Sequence, residues 1–245
     1  MIAMGVLSAD APQWFLSAFV RTCRGAGATE PEEAVRAVGS ELIERWSGSD
    51  RHFHNLRHLA AVLHRVDELA HETHQADLVR LAAWYHGAVF DANRKVAYAT
   101  RGGEQTTLSA ELARTQLVEI GVSAEAAHRV GELVDSLARH KALPGDFDSA
   151  VLNDADLGML AAEPQRYKEY VAAIRAEYAH IPLSDYLDAR IKVLTKLLGR
   201  PRLYASPLGA TWEQPARQNL DAELHRLTKE RRRLGEEATA GPARR

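Results

Sequence analysis

Apolar residues in this chain recur at the spacing of a helix and almost nowhere with the alternation of a strand. Trp14, Phe15, Ala18, Phe19 and Thr22 mark one face of a first helix. Thr29, followed three residues later by Glu32, has capping-box spacing, with Pro31 tolerated in the first turn of a second helix. Leu56, Leu59, Leu63 and Val66 form the stripe that a third helix buries, and Leu78, Leu81, Ala82, Tyr85 and Val89 form the next. Further helices are predicted at about 104–120, 123–140, 147–161, 164–179 and 184–198. Gly121, Ser123, Pro164, Pro182, Ser184, Gly199 and Pro201 punctuate them. Residues 91–103 carry no stripe, end in Gly102-Gly103 and read as an ordered surface loop. Strand alternation and internal repeats at a 20–50 residue period are both missing. The fold class is therefore all-α: one compact multi-helix domain over 1–210, then a tail over 211–245 that starts helical and becomes charged and disordered.

The 245 residues are 46% hydrophobic and 26% charged, the balance of an ordinary globular chain, which excludes collagen, coiled-coil and disordered classes. Lys+Arg 31 against Asp+Glu 33 gives a net charge of −2, so a strongly basic nucleic-acid surface is not expected. From His225 onward the tail is locally basic, which a nucleic-acid or partner-binding arm and an exposed terminus would both explain. No apolar run reaches the ~18 residues of a membrane helix, and the first residues lack the charged region of a secretory signal. A single cysteine, Cys23, allows no intrachain disulfide and fits a reducing compartment, so the expected localisation is cytoplasmic. Against this ordinary background stand 11 histidines, and they cluster.

Four short segments carry the chemistry. His54 and His58, in Arg51-His52-Phe53-His54-Asn55-Leu56-Arg57-His58, share one helix face at the edge of an apolar stripe. His86 is embedded in the apolar segment Ala83-Trp84-Tyr85-His86-Gly87-Ala88-Val89-Phe90-Asp91. His140 follows Leu137-Ala138-Arg139 at a helix end, and Asp154 and Asp156 sit inside the apolar run Leu152-Asn153-Asp154-Ala155-Asp156-Leu157. A buried carboxylate costs several kcal/mol unless a cation or donors meet it. Two residues apart is about 200° around a helix, so only one of these aspartates faces a shared site while the other caps or meets solvent. Imidazoles and a carboxylate from separate helices suit a first shell for Mn²⁺, Fe²⁺, Zn²⁺ or Mg²⁺.

The order of these segments resembles an orphan bacterial branch of the HD-domain superfamily of metal-dependent phosphohydrolases. The likeness rests on His54-Asn55-Leu56-Arg57-His58, on Ala83 to Asp91, and on Asp154-Ala155-Asp156-Leu157. It extends to Tyr167 with Tyr170 and to Ile174-Arg175-Ala176-Glu177-Tyr178, running in order from about 50 to 205. The resemblance implies an all-α fold, a divalent metal, and a small phosphorylated molecule or nucleotide as substrate. It implies His58, His86 and Asp156 as metal ligands, with Asp154 the alternative carboxylate. His140 and Glu104 stand at further polar pocket positions. The expected division of labour has His54 and His140 orienting water or phosphate, and Arg57 or Arg139 holding phosphate. One departure stands out: Gly87 occupies the place of the family's aspartate after the histidine. Asp91, Asp154 and Glu104 are the carboxylates that would complete the shell in its stead.

Three readings follow. The first is a metal-dependent phosphohydrolase. The second is a catalytically impaired protein of the same fold that binds metal or nucleotide in a regulatory role. The third is a helical interaction module whose histidines are core. No membrane partner is expected, and a homodimer stays open. If the pocket is otherwise intact, Gly87→Asp should tighten metal binding; unchanged affinity would show a remodelled site. Phosphate-binding glycine loops and a G-x-S-x-G elbow are absent. His71 and His74 lack the H-E-x-x-H frame and read as a solvated helix end.

Overall fold

Each apolar stripe becomes a helix. The computed structural model describes residues 14–90 and 106–240, apart from the side chains of Arg139 and of 237–240. Within them the chain forms ten α-helices and no strand. In order these are α1 (Trp14–Gly25), α2 (Glu32–Trp46), α3 (Leu56–Glu68), α4 (Ala76–Tyr85) and α5 (Thr107–Glu119), then α6 (Ala124–Ser136), α7 (Phe147–Leu157), α8 (Pro164–Glu177), α9 (Leu183–Leu198) and α10 (Glu213–Ala240). The all-α architecture is thus as expected. The predicted loop over 91–103, with Asp91 and Glu104, lies outside the described residues. Among the described residues no helix is long and apolar enough to cross a membrane.

Several helix ends differ from the expected ones, each for a local reason. Pro31 is itself the N-cap of α2 in an extended conformation, without a side-chain cap, and the Thr29 hydroxyl donates instead to the Gly121 carbonyl. The capping box does not form: the Thr29 hydroxyl is turned to the α5–α6 turn, where the Glu30 amide also bonds the Ile120 carbonyl. The stripe reaching Val89 breaks at Tyr85, where His86 caps α4 and Ala88 closes a turn onto Tyr85. The helix predicted to run to 140 stops at Ser136, continues as a 3₁₀ turn over Leu137–Arg139, and ends on His140 in the left-handed region at φ 42°.

Two apolar clusters form the interior. One gathers α1 to α7 around Phe15, Phe19, Leu42, Trp46, Leu59, Leu81 and Trp84. The other gathers α8 to α10 around Tyr167, Leu187, Leu194, Tyr204 and Leu220. Helix α7 belongs to both, giving Val151, Leu152 and Ala155 to the first and Leu157 to the second. Asp156 stands at that junction.

The segment from 211 is not a tail appended to the bundle. Helix α10 runs for 28 residues and buries Ala216, Leu220 and Leu227 in the second cluster. Glu223, on the same face, makes a two-pronged ion pair with Arg190 of α9 at 2.8 and 3.0 Å and accepts from the Tyr167 hydroxyl at 2.5 Å. The side chains of Arg190 and Glu223 are 12% and 1% exposed, so the pair is cut off from water. Removing one member strands the other charge in the core, which costs about 3–5 kcal/mol. Glu223→Ala should therefore lower the urea midpoint steeply. Arg231→Ala, which breaks the exposed pair with Asp188 further along α10, should leave that midpoint in place. Equal midpoints for the two variants would show that α10 does not share the core.

Candidate metal centre

Asn55 sets the first histidine. Its side-chain oxygen accepts from the amides of Arg57 and His58, so α3 begins with His58 in its first turn, facing inward. His86 arrives at the end of α4, where its Nδ1 donates to the Ala83 carbonyl at 2.6 Å. That bond places the ring proton on Nδ1 and leaves the Nε2 lone pair turned toward His58. Burial pushes the His86 imidazole down to about 4, so it is neutral at pH 7 and ready to ligate. Asp156 arrives from α7 between the two clusters.

The Nε2 atoms of His58 and His86 lie 3.2 Å apart; Asp156 Oδ1 is 3.2 Å from the first and 3.6 Å from the second. Ligand atoms at 2.0–2.1 Å from a tetrahedral Zn²⁺ stand about 3.3 Å apart, which is close to the dimensions of this triangle. Among the described residues His58, His86 and Asp156 form the only group of three whose ligand atoms converge in this way. The donor set fits a divalent cation.

His140 completes the ring around Asp156. Its Nδ1 is 3.1 Å from Asp156 Oδ2, and its carbonyl accepts from Arg200 at 2.5 Å. Among the described residues His140 is the one non-glycine residue at positive φ, a conformation that costs of order 1 kcal/mol and persists where surrounding contacts impose it. Burial pushes the Asp156 carboxyl up, but the bonds to His140 and His58 and the His86 ring outweigh it and hold the carboxyl well below the usual range. Asp156 is therefore a permanent anion.

Asp154 does not join them. Its two oxygens accept the amides of Ala205 and Ser206 at 2.9 and 2.7 Å, so it secures the loop before α10. Of the two aspartates, 156 is thus the one turned inward. Arg57 is exposed on the outer face of α3 and makes no contact with the cluster. Arg51, which flanks it in sequence, is buried and structural: it donates to the carbonyls of His54, Gly87 and Ala88 and lies over the rings of Trp46 and Phe90. Asp91, Glu104 and the Arg139 side chain lie outside what is described.

His54 lies beside the triangle rather than in it, its ring centroid 5.5 Å from that of His58. Its Nδ1 is 2.7 Å from Glu177 Oε2, and Glu177 Oε1 accepts the amides of Phe53 and His54. Glu177 had no role in the sequence reading. Its signal was present as the glutamate of Ile174-Arg175-Ala176-Glu177-Tyr178. Burial raises its carboxyl, but His54 and the two amides reverse this and bring it down to about 2.

Gly87 is not a hole. A Cβ built there would lie 2.4 Å from Trp46 Cη2 and within 3.0 Å of two further ring carbons. Trp46 is fully buried, donates its Nε1 proton to the Trp84 carbonyl, and stacks 5.0 Å from the His86 ring. The indole fills the volume that a side chain at 87 would need.

Compared with protein-family models, with curated proteins and with solved structures, the chain finds no match.

Two outcomes are expected. Gly87→Ala and Gly87→Asp should each destabilise the protein by about 1–3 kcal/mol through overpacking against Trp46, and Gly87→Asp should not tighten metal binding; calorimetric titration with Zn²⁺ and Mn²⁺ checks the second part. Glu177→Gln should cost stability above pH 4.5. A carboxyl held at about 2 when folded and 4.5 when unfolded stabilises above the upper value and loses that contribution as pH falls toward the lower. The gap in Tm between wild type and Glu177→Gln should therefore close between pH 4.5 and 2, and a gap independent of pH would contradict the depressed carboxyl.

Proposed function

We propose that this chain is a metal-dependent phosphohydrolase of the HD type, acting on a phosphoester of a small molecule such as a nucleotide. The observation that carries the reading is the triangle of His58 Nε2, His86 Nε2 and Asp156 Oδ1, with sides of 3.2, 3.2 and 3.6 Å. These three residues would hold one divalent ion. Two neutral nitrogens and one carboxylate favour borderline metals such as Zn²⁺ or Fe²⁺ over Mg²⁺. Bound there, the ion supplies Lewis acidity toward water and a phosphoryl oxygen.

The remaining residues divide the other work. His86 keeps its ligating nitrogen unprotonated through the Nδ1 bond to Ala83. His140 holds Asp156 Oδ2 and leaves Oδ1 to the imidazoles. Glu177 accepts from His54 Nδ1 and so orients the ring, from which His54 would exchange a proton with an attacking water. The His54 side chain is 15% exposed, which lets water reach it.

One observation favours a second reading, a catalytically impaired protein of this fold that binds metal or nucleotide as a regulator. Trp46 fills the space beside Gly87, and no further carboxylate among the described residues joins the triangle. A single experiment separates the two. Elemental analysis of untagged protein should find about one metal per chain in wild type and none in His86→Ala. A screen on p-nitrophenyl phosphate and nucleotides with Zn²⁺, Fe²⁺, Mn²⁺ and Mg²⁺ should give turnover that His54→Ala lowers by roughly 10²-fold or more. Full occupancy without turnover supports the regulatory reading, and equal metal in wild type and His86→Ala would falsify both.

A further inference from the structure

Seven residues beyond His58 on α3, Arg65 breaks the rule that a covered guanidinium is paired. Its Nη1 is shut off from water without a hydrogen-bond partner. No hydrogen bond, ion pair or ring contact engages the side chain among the described residues. The nearby carboxylates are committed elsewhere: Glu68 pairs with His64 at 3.2 Å, and Asp156 is held by the histidines. Two other groups act on Arg65: Tyr204, whose hydroxyl donates to the Leu157 carbonyl, and Arg166, exposed in the first turn of α8, which repels. Burial further weakens the hold of Arg65 on its proton. The two Nη1 donors are shut off from water with no acceptor, which costs free energy, and an oxyanion is the group that would satisfy them.

The place is specific. Residues seven apart lie on the same face of a helix, and helical side chains lean toward the N-terminus, so Arg65 lies back along α3 toward His58. It crosses Gly158, two residues after Asp156. A Cβ at 158 would lie 2.3 Å from Arg65 Cδ and 2.4 Å from Nε, so the arm fits only because that residue has no side chain. Gly158 follows the carboxylate-bearing end of α7, so the arm runs beside the segment that carries Asp156.

We propose that Arg65 is an anion-binding residue of this centre, gripping the phosphoryl oxygens of the ligand with its planar fork while Arg166 supplies a second positive charge. That the anion is a substrate phosphate rests on the phosphohydrolase reading; that an anion binds rests on the unpaired arginine alone.

Inorganic phosphate is the probe, measured by calorimetric titration and thermal shift on the full chain, with metal content determined in parallel. Wild type should bind phosphate and gain Tm from it. Arg65→Met keeps a long apolar arm and removes an unpaired charge, so without phosphate its Tm should equal or exceed that of wild type. It should bind phosphate about 10- to 100-fold more weakly with metal content unchanged. Arg65→Lys, which keeps charge without the fork, should fall between. Phosphate affinity within twofold of wild type in both variants overturns the proposal, as does a wild type that binds no phosphate. A fall in the Tm of Arg65→Met with phosphate binding intact overturns it too and marks the arginine as structural. Arg65-dependent phosphate binding in protein that takes up no metal upholds the anion site and sinks the hydrolase reading. Stoichiometric metal with phosphate binding indifferent to Arg65 does the reverse.

Discussion

The structure depends on one buried anion. Asp156 sits where the two apolar clusters meet and is kept ionised by His58 and His140, with His86 alongside. Those partners come from the start of α3, the turn after α6 and the end of α4, so a single carboxylate ties together four parts of the chain. A buried charge of this kind is tolerable only if its donors stay in place. That requirement accounts for local features that look costly in isolation. His140 accepts a left-handed backbone, and His58 and His86 bring two ring nitrogens to 3.2 Å of one another. Neither arrangement repays itself through packing. Both make sense as ways of meeting Asp156 and of leaving three ligand atoms converged.

The second cluster reaches this centre by way of Glu177. That residue closes α8 and holds both the ring and the backbone of His54, so the position of the histidine is decided by a helix more than a hundred residues further along the chain. Helix α8 is fixed in turn through Tyr167, which donates to Glu223, and Glu223 is locked to Arg190. A chain of buried polar contacts therefore runs from α10 to the edge of the candidate centre. Its members are polar or charged and buried, so each depends on its partner far more than an apolar neighbour would.

What could be read from the sequence follows the range of the interactions. Helix stripes are local, and the all-α class and most helix spans were legible in them. Of the ends that differed, those at Thr29 and Val89 involve contacts with distant residues: the Gly121 and Ile120 carbonyls for one, and the turn packed under Trp46 for the other. His58, His86 and Asp156 could be picked out because each is a polar group inside an apolar pattern. Choosing Asp156 over Asp154 needed only the helix angle and the knowledge of which side faced inward, and the second part came from the fold. Glu177 was overlooked because an isolated glutamate on a helix is ordinary until its surroundings prove to be dry. Arg57 stood out in the sequence next to the histidines yet faces solvent. Arg65, unremarkable in sequence, has an Nη1 that folding shuts off from water without a partner.

Gly87 and Trp46 are best understood as a pair with an electrostatic consequence. An aspartate after His86 would put a second negative charge beside Asp156, and the indole leaves no room for it. Two imidazole nitrogens and one carboxylate, acting as ligands, would give a donor set of charge −1, so a divalent ion held there would retain a net +1, which a second carboxylate would cancel. A centre left positive attracts anionic oxygen more strongly and binds hard cations less well. With the Arg65 guanidinium two turns further along α3, a centre of this charge would favour an anionic ligand over a tightly held hard cation.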